Sequence, residues 1–247
     1  MSIESQADLL GMRTIGRIVA LILREMCAAA RRGLTTSDLD AIGAAAMERL
    51  GARSAPQLTY RFPGYTCISV NEEIVHGVPG DRRLESGDVV KIDVTAERDG
   101  YIADAARTVI VGDGSPLAMR LQACAVAALD AALKAAHAGE RVSMIGRAVE
   151  RQALRDGFAV VRELCGHGVG RTIHERPDVP NYENRLSKDT LTEGLVIAIE
   201  PMLAAIPARP VQGADGWTLS THNGSLAVHE EHTVVIQRGA PLVLTAA

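Results

Sequence analysis

Apolar residues at Leu9, Met12, Ile15, Ile18, Val19, Ile22 and Leu23 recur near the helical period, which predicts an amphipathic helix over residues 6–31 that stops at Gly33. Thr36-Ser37-Asp38 then caps a second helix, 37–50, with Leu39, Ile42, Ala46 and Leu50 on its apolar face. Pro56, Pro63 and Gly64 make 52–65 an irregular loop. Short β runs follow at Cys67–Val70 and Ile74–Gly77, separated by the turn Asn71-Glu72-Glu73. A surface connection over 78–88 leads to a longer β pattern over 89–111. Pro116 opens an alanine-rich helix to about Ala138, and Ser143 caps another, to about 156, stopped by Gly157. Beyond Phe158 the pattern is mostly strand and loop, including the runs Gly194–Ile199, Trp217–Ser220 and Leu226–Val235. The order helix, helix, strands therefore occurs twice, as expected of a pseudo-duplicated α/β arrangement. No linker, charge block or low-complexity tract divides it, so 1–247 is expected to be a single domain.

The stretch Val89–Val111 is the most informative. Its β-branched run, the Asp99-Gly100 turn and the return run predict a hairpin. Each strand carries one aspartate where an apolar residue is expected, Asp93 and Asp104. With a two- or four-residue loop the two carboxylates share a face; a three-residue loop separates them unless a bulge intervenes. Like charges on one face call for a cation between them, and a divalent metal is the first candidate.

Composition narrows the setting. Aromatics are only 3% of the 247 residues, so the core is built from Ala, Val, Leu and Ile. A net charge of −4 gives no support to a nucleic-acid surface. Cys27, Cys67, Cys124 and Cys165 are scattered without metal-site spacing, which implies free thiols in a reducing compartment. No signal-peptide pattern is present, and no stretch approaches the roughly 20 apolar residues of a membrane span. A cytoplasmic protein without a membrane partner is expected.

Acids and histidines that interrupt or border β runs form a set: His76, Asp93, Asp104, His167, His174, Glu200 and Glu231. Buried acids at strand ends are unfavourable without partners. Four carboxylates and an imidazole fit an oxygen-rich centre for hard or borderline divalent ions rather than a structural zinc site. GHGVG at 166–170 is a poor phosphate loop, and its glycines are expected to let the backbone turn and make room for His167. His137, His222, His229 and His232 are placed outside this set.

The segments SVNEEIVHGVPG (69–80), GDVVKIDVTAERDGYIADAARTV (87–109), LCGHGVGRTIHERPDVPNY (164–182), GLVIAIEPML (194–203), DGWTLST (215–221) and EEHTVVI (230–236) occur in the order found in dinuclear metallopeptidases. Together they resemble the methionine aminopeptidases of type I. The resemblance implies an α+β pita-bread (creatinase/aminopeptidase-like) fold, with a pseudo-twofold antiparallel sheet and helices on its outer face. It also implies removal of N-terminal methionine from nascent proteins and peptides with a small second residue. Two divalent ions per chain (Co, Mn, Fe or Zn) are implied, with Asp93 on one, His167 and Glu200 on the other, and Asp104 and Glu231 bridging. Glu200 would shuttle protons, His76 and His174 would bind the scissile amide, and Phe62, Cys67 and Trp217 would line the side-chain pocket. Pro56, Thr59, Ile173 and Val75 depart from the common family residues, and the first three leave pocket shape open. A prolidase-like or Xaa-Pro aminopeptidase and a non-catalytic binding protein on the same fold are the alternatives. The expected partners are N-termini of nascent polypeptides; a monomer is expected, and association with the ribosome stays open.

Overall fold

In the computed structural model, which describes residues 1–246, the chain runs α1 (Gln6–Ala29), α2 (Thr36–Arg49), β1 (Arg53–Ser54), α3 (Ala55–Tyr60), β2 (Cys67–Val70), β3 (Glu73–Val75), β4 (Val89–Arg98), β5 (Tyr101–Ile110), α4 (Pro116–Ala135) and α5 (Ser143–Asp156). The second part continues with β6 (Ala159–Val160), β7 (Cys165–Gly168), β8 (Glu175–Pro180), β9 (Val196–Ile199), β10 (Met202–Ala204), β11 (Pro210–Gln212), β12 (Leu219–Thr221), β13 (Ala227–His229), β14 (His232–Val235) and β15 (Leu242–Val243).

The expected helices form, with corrected ends. Thr35, not the Thr36-Ser37-Asp38 group, caps α2, through a capping box in which its hydroxyl accepts from Asp38 N–H and the Asp38 carboxylate accepts from Thr35 N–H. Ser143 is the first residue of α5 and not its cap; Val142 stands at the cap position and makes no side-chain cap bond. Residues 52–65 are not wholly irregular. Ser54 caps α3 and Pro56 sits in its first turn, where its missing N–H leaves nothing unsatisfied. Contrary to expectation, one helix, α4, is long and apolar enough to cross a membrane. Its buried residues Ala118, Leu121, Cys124, Ala125, Ala128, Leu129 and Ala132 instead repeat along one face, packed into the core shared with α5. All four cysteines are free, as expected.

The hairpin β4–β5 is the centre of the first half. Asp99 and Gly100 form a two-residue loop with φ of 54° and 80°, the left-handed geometry that matches strand twist. The register pairs Thr95 with Asp104 and Asp93 with Ala106, so both carboxylates lie on one face. The other face, with Ile92, Val94, Ala96, Ala103 and Ala105, packs into the core that also holds α1 and α2. A second core lies between α4, α5 and the strands β9 and β14. Helices thus cover one side of the strands in each half and leave the other side free for chemistry.

In the second half β14 pairs with β9 and β13 with β10. Ile199 pairs with His232, and Met202 with His229, so the same register continues across the break between the strands. It sets Glu200 directly opposite Glu231. Residues opposite each other, and every second residue, share a face. Ala198, Glu200 and Met202 therefore lie with His229, Glu231 and Thr233, and β7 adds His167 to that face because it pairs with Ala198. Thr233 joins the halves: its hydroxyl donates to the Asp104 carbonyl and accepts from Asp104 N–H, at 2.7 and 2.9 Å.

Gly100→Ala is expected to lower stability by about 1 kcal/mol through left-handed strain alone, since the nearest atom to an added methyl is 3.6 Å away. Urea unfolding checks this; an unchanged midpoint would show that the turn does not need glycine.

Candidate metal centre and active site

The two strand faces meet around a cavity of about 690 Å³ that exposes Asp93, Asp104, His167, Glu200 and Glu231 together with His76, His174 and His229. Asp104, His167 and Glu231 offer ligand atoms all within 4.8 Å of one another. His167 Nε2 lies 3.3 Å from Glu200 Oε1. The tautomer of His167 follows from its other nitrogen: Nδ1 is 2.9 Å from the Gly168 carbonyl, which can only accept, so Nδ1 carries the proton and Nε2 offers its lone pair to the cavity.

The glycines around His167 do not act as expected. Gly166 and Gly168 lie within β7 rather than in a turn. A Cβ at Gly166 would stand 2.4 Å from the Ala198 carbonyl oxygen, and one at Gly168 2.3 Å from that of Arg176. They are glycine because flanking backbone presses on both positions, which leaves His167 and Cys165 as the side chains this strand carries.

The carboxylates are short of partners. Asp104 accepts from the Thr95 hydroxyl at 2.9 Å, but Asp93 Oδ1 and Glu231 Oε1 are buried and accept no hydrogen bond. Burial, reinforced by Asp104, raises the pKa of Asp93 and Glu231 well above the carboxylate range. Burial likewise pushes Glu200 up to about 8. Orphaned oxygens, crowded acids and an imidazole lone pair on one wall are the donor set that a divalent cation would satisfy.

His76 and His174 stand at the cavity mouth. His76 has a φ of 57°, an uncommon backbone state for a side-chain-bearing residue. Both imidazoles are solvent-accessible within a concave wall that still desolvates them. Desolvation, then repulsion from a neighbouring histidine, lowers the pKa of His76 and brings that of His174 to about 4. The rings of His174 and His167 lie edge to face at 4.4 Å.

At the apolar end, Phe62 and Trp217 meet edge to face at 5.3 Å, and Cys67 pairs across the strands with Asp93. Pro56, Val75 and Ile173 also line the cavity. Thr59 does not: it is exposed, and its neighbour Tyr60 faces the cavity instead. The Tyr60 hydroxyl lies 2.7 Å from His174 Nδ1. Tyr60 was not legible as a site residue because α3 itself was not foreseen.

One other placement differs from expectation. His229 belongs to the cavity, its Nε2 3.3 Å from Glu200 Oε2 and 3.8 Å from Glu231 Oε2; the two-residue spacing from Glu231 was the signal that could have found it. His232 and Glu230 face the other way, to Arg107: His232 Nε2 is 2.6 Å from its Nη2 and Glu230 Oε2 3.4 Å from its Nη1. Lys91, 1% exposed, donates to the carbonyls of Asn71 and Val89 and braces the turn that leads to His76. Its burial brings its pKa down to about 7.

The raised Glu200 pKa has a thermodynamic consequence. Between about pH 4.5 and 8 the folded, metal-free chain holds a proton there that the unfolded chain has released, so stability falls as pH rises across that window. Urea midpoints of chelated protein should decline over this range and should decline less in Glu200→Gln; equal slopes would show that Glu200 is not the group responsible.

The model of metallopeptidase family M24 matches residues 11–238. The chain is 41% identical to methionine aminopeptidase 2 of Bacillus subtilis over 247 residues, 99% of both chains, and 41% identical to the methionine aminopeptidase of Aquifex aeolicus over 256 aligned positions, again 99% of both. A crystal structure of methionine aminopeptidase from Thermotoga maritima superposes with a TM-score of 0.96 at 34% identity, covering all of both chains. Prolidase from Pyrococcus furiosus shares the fold, with a TM-score of 0.80 at 23% identity over 99% of this chain and 65% of its own. Such neighbours have the pita-bread architecture expected from the sequence. Matching along nearly its whole length in sequence and in fold, the chain belongs to metallopeptidase family M24 and, within it, to the methionine aminopeptidases.

Proposed function

We propose that the chain removes N-terminal methionine from nascent proteins and peptides with a small second residue, using divalent metal held by Asp93, Asp104, His167, Glu200 and Glu231. The convergence of these five side chains on a single cavity, closed at one end by Phe62, Cys67 and Trp217, carries the reading. The full-length likeness to enzymes named for methionine favours it over an Xaa-Pro peptidase, since the prolidase likeness extends to the fold alone. Only strands and loops lie between Glu200 and Glu231, which supports the type I form over one with a helical insertion there.

In this reading the centre would take two ions of Co, Mn, Fe or Zn. Asp93 would hold one, His167 and Glu200 the other, and Asp104 and Glu231 would serve both. When bound, they supply Lewis-acid activation of water and of the scissile carbonyl. The remaining work belongs to the protein. Glu200 takes a proton from the attacking water and returns it to the leaving amine. His174, paired at Nδ1 with Tyr60, presents Nε2 to the substrate. With His76 it donates hydrogen bonds to the scissile amide and to the tetrahedral oxyanion. Phe62, Cys67 and Trp217 enclose an unbranched thioether side chain, for which an apolar, aromatic-edged wall is suited. Substrates are free N-termini of polypeptides; monomeric, cytoplasmic operation without a nucleic-acid or membrane partner belongs to the same reading.

Chelated protein with metal restored should cleave Met-Ala-Ser and leave an Xaa-Pro peptide intact; turnover of the Xaa-Pro peptide alone would sink the methionine assignment. Asp104→Ala should abolish detectable turnover, and unchanged activity would rule out the dinuclear mechanism. Loss of a single oxyanion donor in His174→Ala should lower kcat by roughly a hundredfold or more.

A further inference from the structure

His229 is 1% exposed, lines the central cavity, and neither ring nitrogen makes a hydrogen bond. A buried imidazole with both nitrogens unpartnered is unfavourable and calls for an explanation. Its placement is not loose. The Thr108 hydroxyl accepts from His229 N–H at 3.0 Å and donates to the His229 carbonyl at 2.8 Å, fixing the backbone. Strand alternation then directs the ring to the face shared by Glu231, and by Glu200 across the ladder.

The distances around Glu200 are symmetric. Oε1 lies 3.3 Å from His167 Nε2, and Oε2 lies 3.3 Å from His229 Nε2. The second approach is not a hydrogen bond, since His229 Nε2 has no partner of suitable geometry. Donors about 2.1 Å from a common ion, at angles of 90° to 110°, stand roughly 3.0 to 3.4 Å apart. His229 thus has the spacing of a co-ligand of Glu200, as His167 does, on the opposite edge of the carboxylate. Glu231 Oε2 lies 3.8 Å from the same nitrogen.

We propose that His229 is a further nitrogen ligand of the divalent-metal centre, holding the ion that Glu200 and Glu231 share. The proposal rests on the metal-centre reading and extends it. A second imidazole softens a carboxylate-rich site, favouring borderline ions such as Co²⁺, Fe²⁺ or Zn²⁺ over Mn²⁺.

X-ray absorption of the cobalt-loaded wild-type protein counts imidazole ligands directly. Two per chain are expected, and one in His229→Gln; a single imidazole in the wild type, unchanged in the variant, overturns the proposal. Equilibrium dialysis of Co²⁺ should show at least one binding step weakened about tenfold or more in His229→Ala, with a smaller loss for Mn²⁺. Equal Co²⁺ affinities in variant and wild type would also overturn it. The wild-type spectrum needs no variant to fold, so a misfolded variant leaves that measurement decisive. If the wild type bound no Co²⁺ at all, the metal-centre reading itself would fail; Co²⁺ bound with a single imidazole would defeat only the role of His229.

Discussion

Asp93, Asp104, Glu200 and Glu231 repel one another across a cavity whose walls keep most of the water away. Much of the surrounding structure manages that repulsion. Two of the acids sit on a hairpin face and two at an interruption in a ladder, so no single strand carries the whole charge. Thr233 ties Asp104 to the second half through both of its backbone polar groups and holds the faces together. In the absence of a cation the system responds by raising pKa values; a divalent ion removes the reason for the shift.

Strand alternation sorts the remaining polar groups. In Val228-His229-Glu230-Glu231-His232, His229 and Glu231 face the cavity, while Glu230 and His232 face Arg107. The guanidinium that would otherwise compete for the site carboxylates is thereby committed to the outer side, where it also donates to the Glu231 carbonyl at 3.1 Å. It steadies the ligand strand without neutralising it. Asn181 does similar work at Glu200, donating from a fully buried amide to its carbonyl at 2.8 Å. Polar networks on the outer faces fix the backbone, and unpaired donors on the inner faces are left for chemistry.

Local chemistry made the hairpin legible. Asp99-Gly100 marked the turn but left its length open, and the two-residue loop that forms is one of those that place Asp93 and Asp104 on one face. The long helices followed from apolar period and glycine stops. The short helix α3 escaped notice because Pro56 within it and Pro63-Gly64 just beyond it read as breakers, and with it went Tyr60, which faces the cavity where Thr59 was expected to matter. The glycines of GHGVG were visible, but their reason was not: the pressure comes from the carbonyls of Ala198 and Arg176, on the strands β9 and β8 that flank it.

By itself the sequence determined the elements, the residue types able to bind a divalent cation, and the family resemblance, since each depends on local order along the chain. Tertiary structure decided which of those residues meet. Glu200 opposes Glu231 only because one register runs unbroken past the gap between β9 and β10, and β13 and β14. His229 joins them for the same reason: a strand's side chains have fixed alternation but no preferred face until a helix layer covers one side and leaves the other to the cavity-facing acids and histidines.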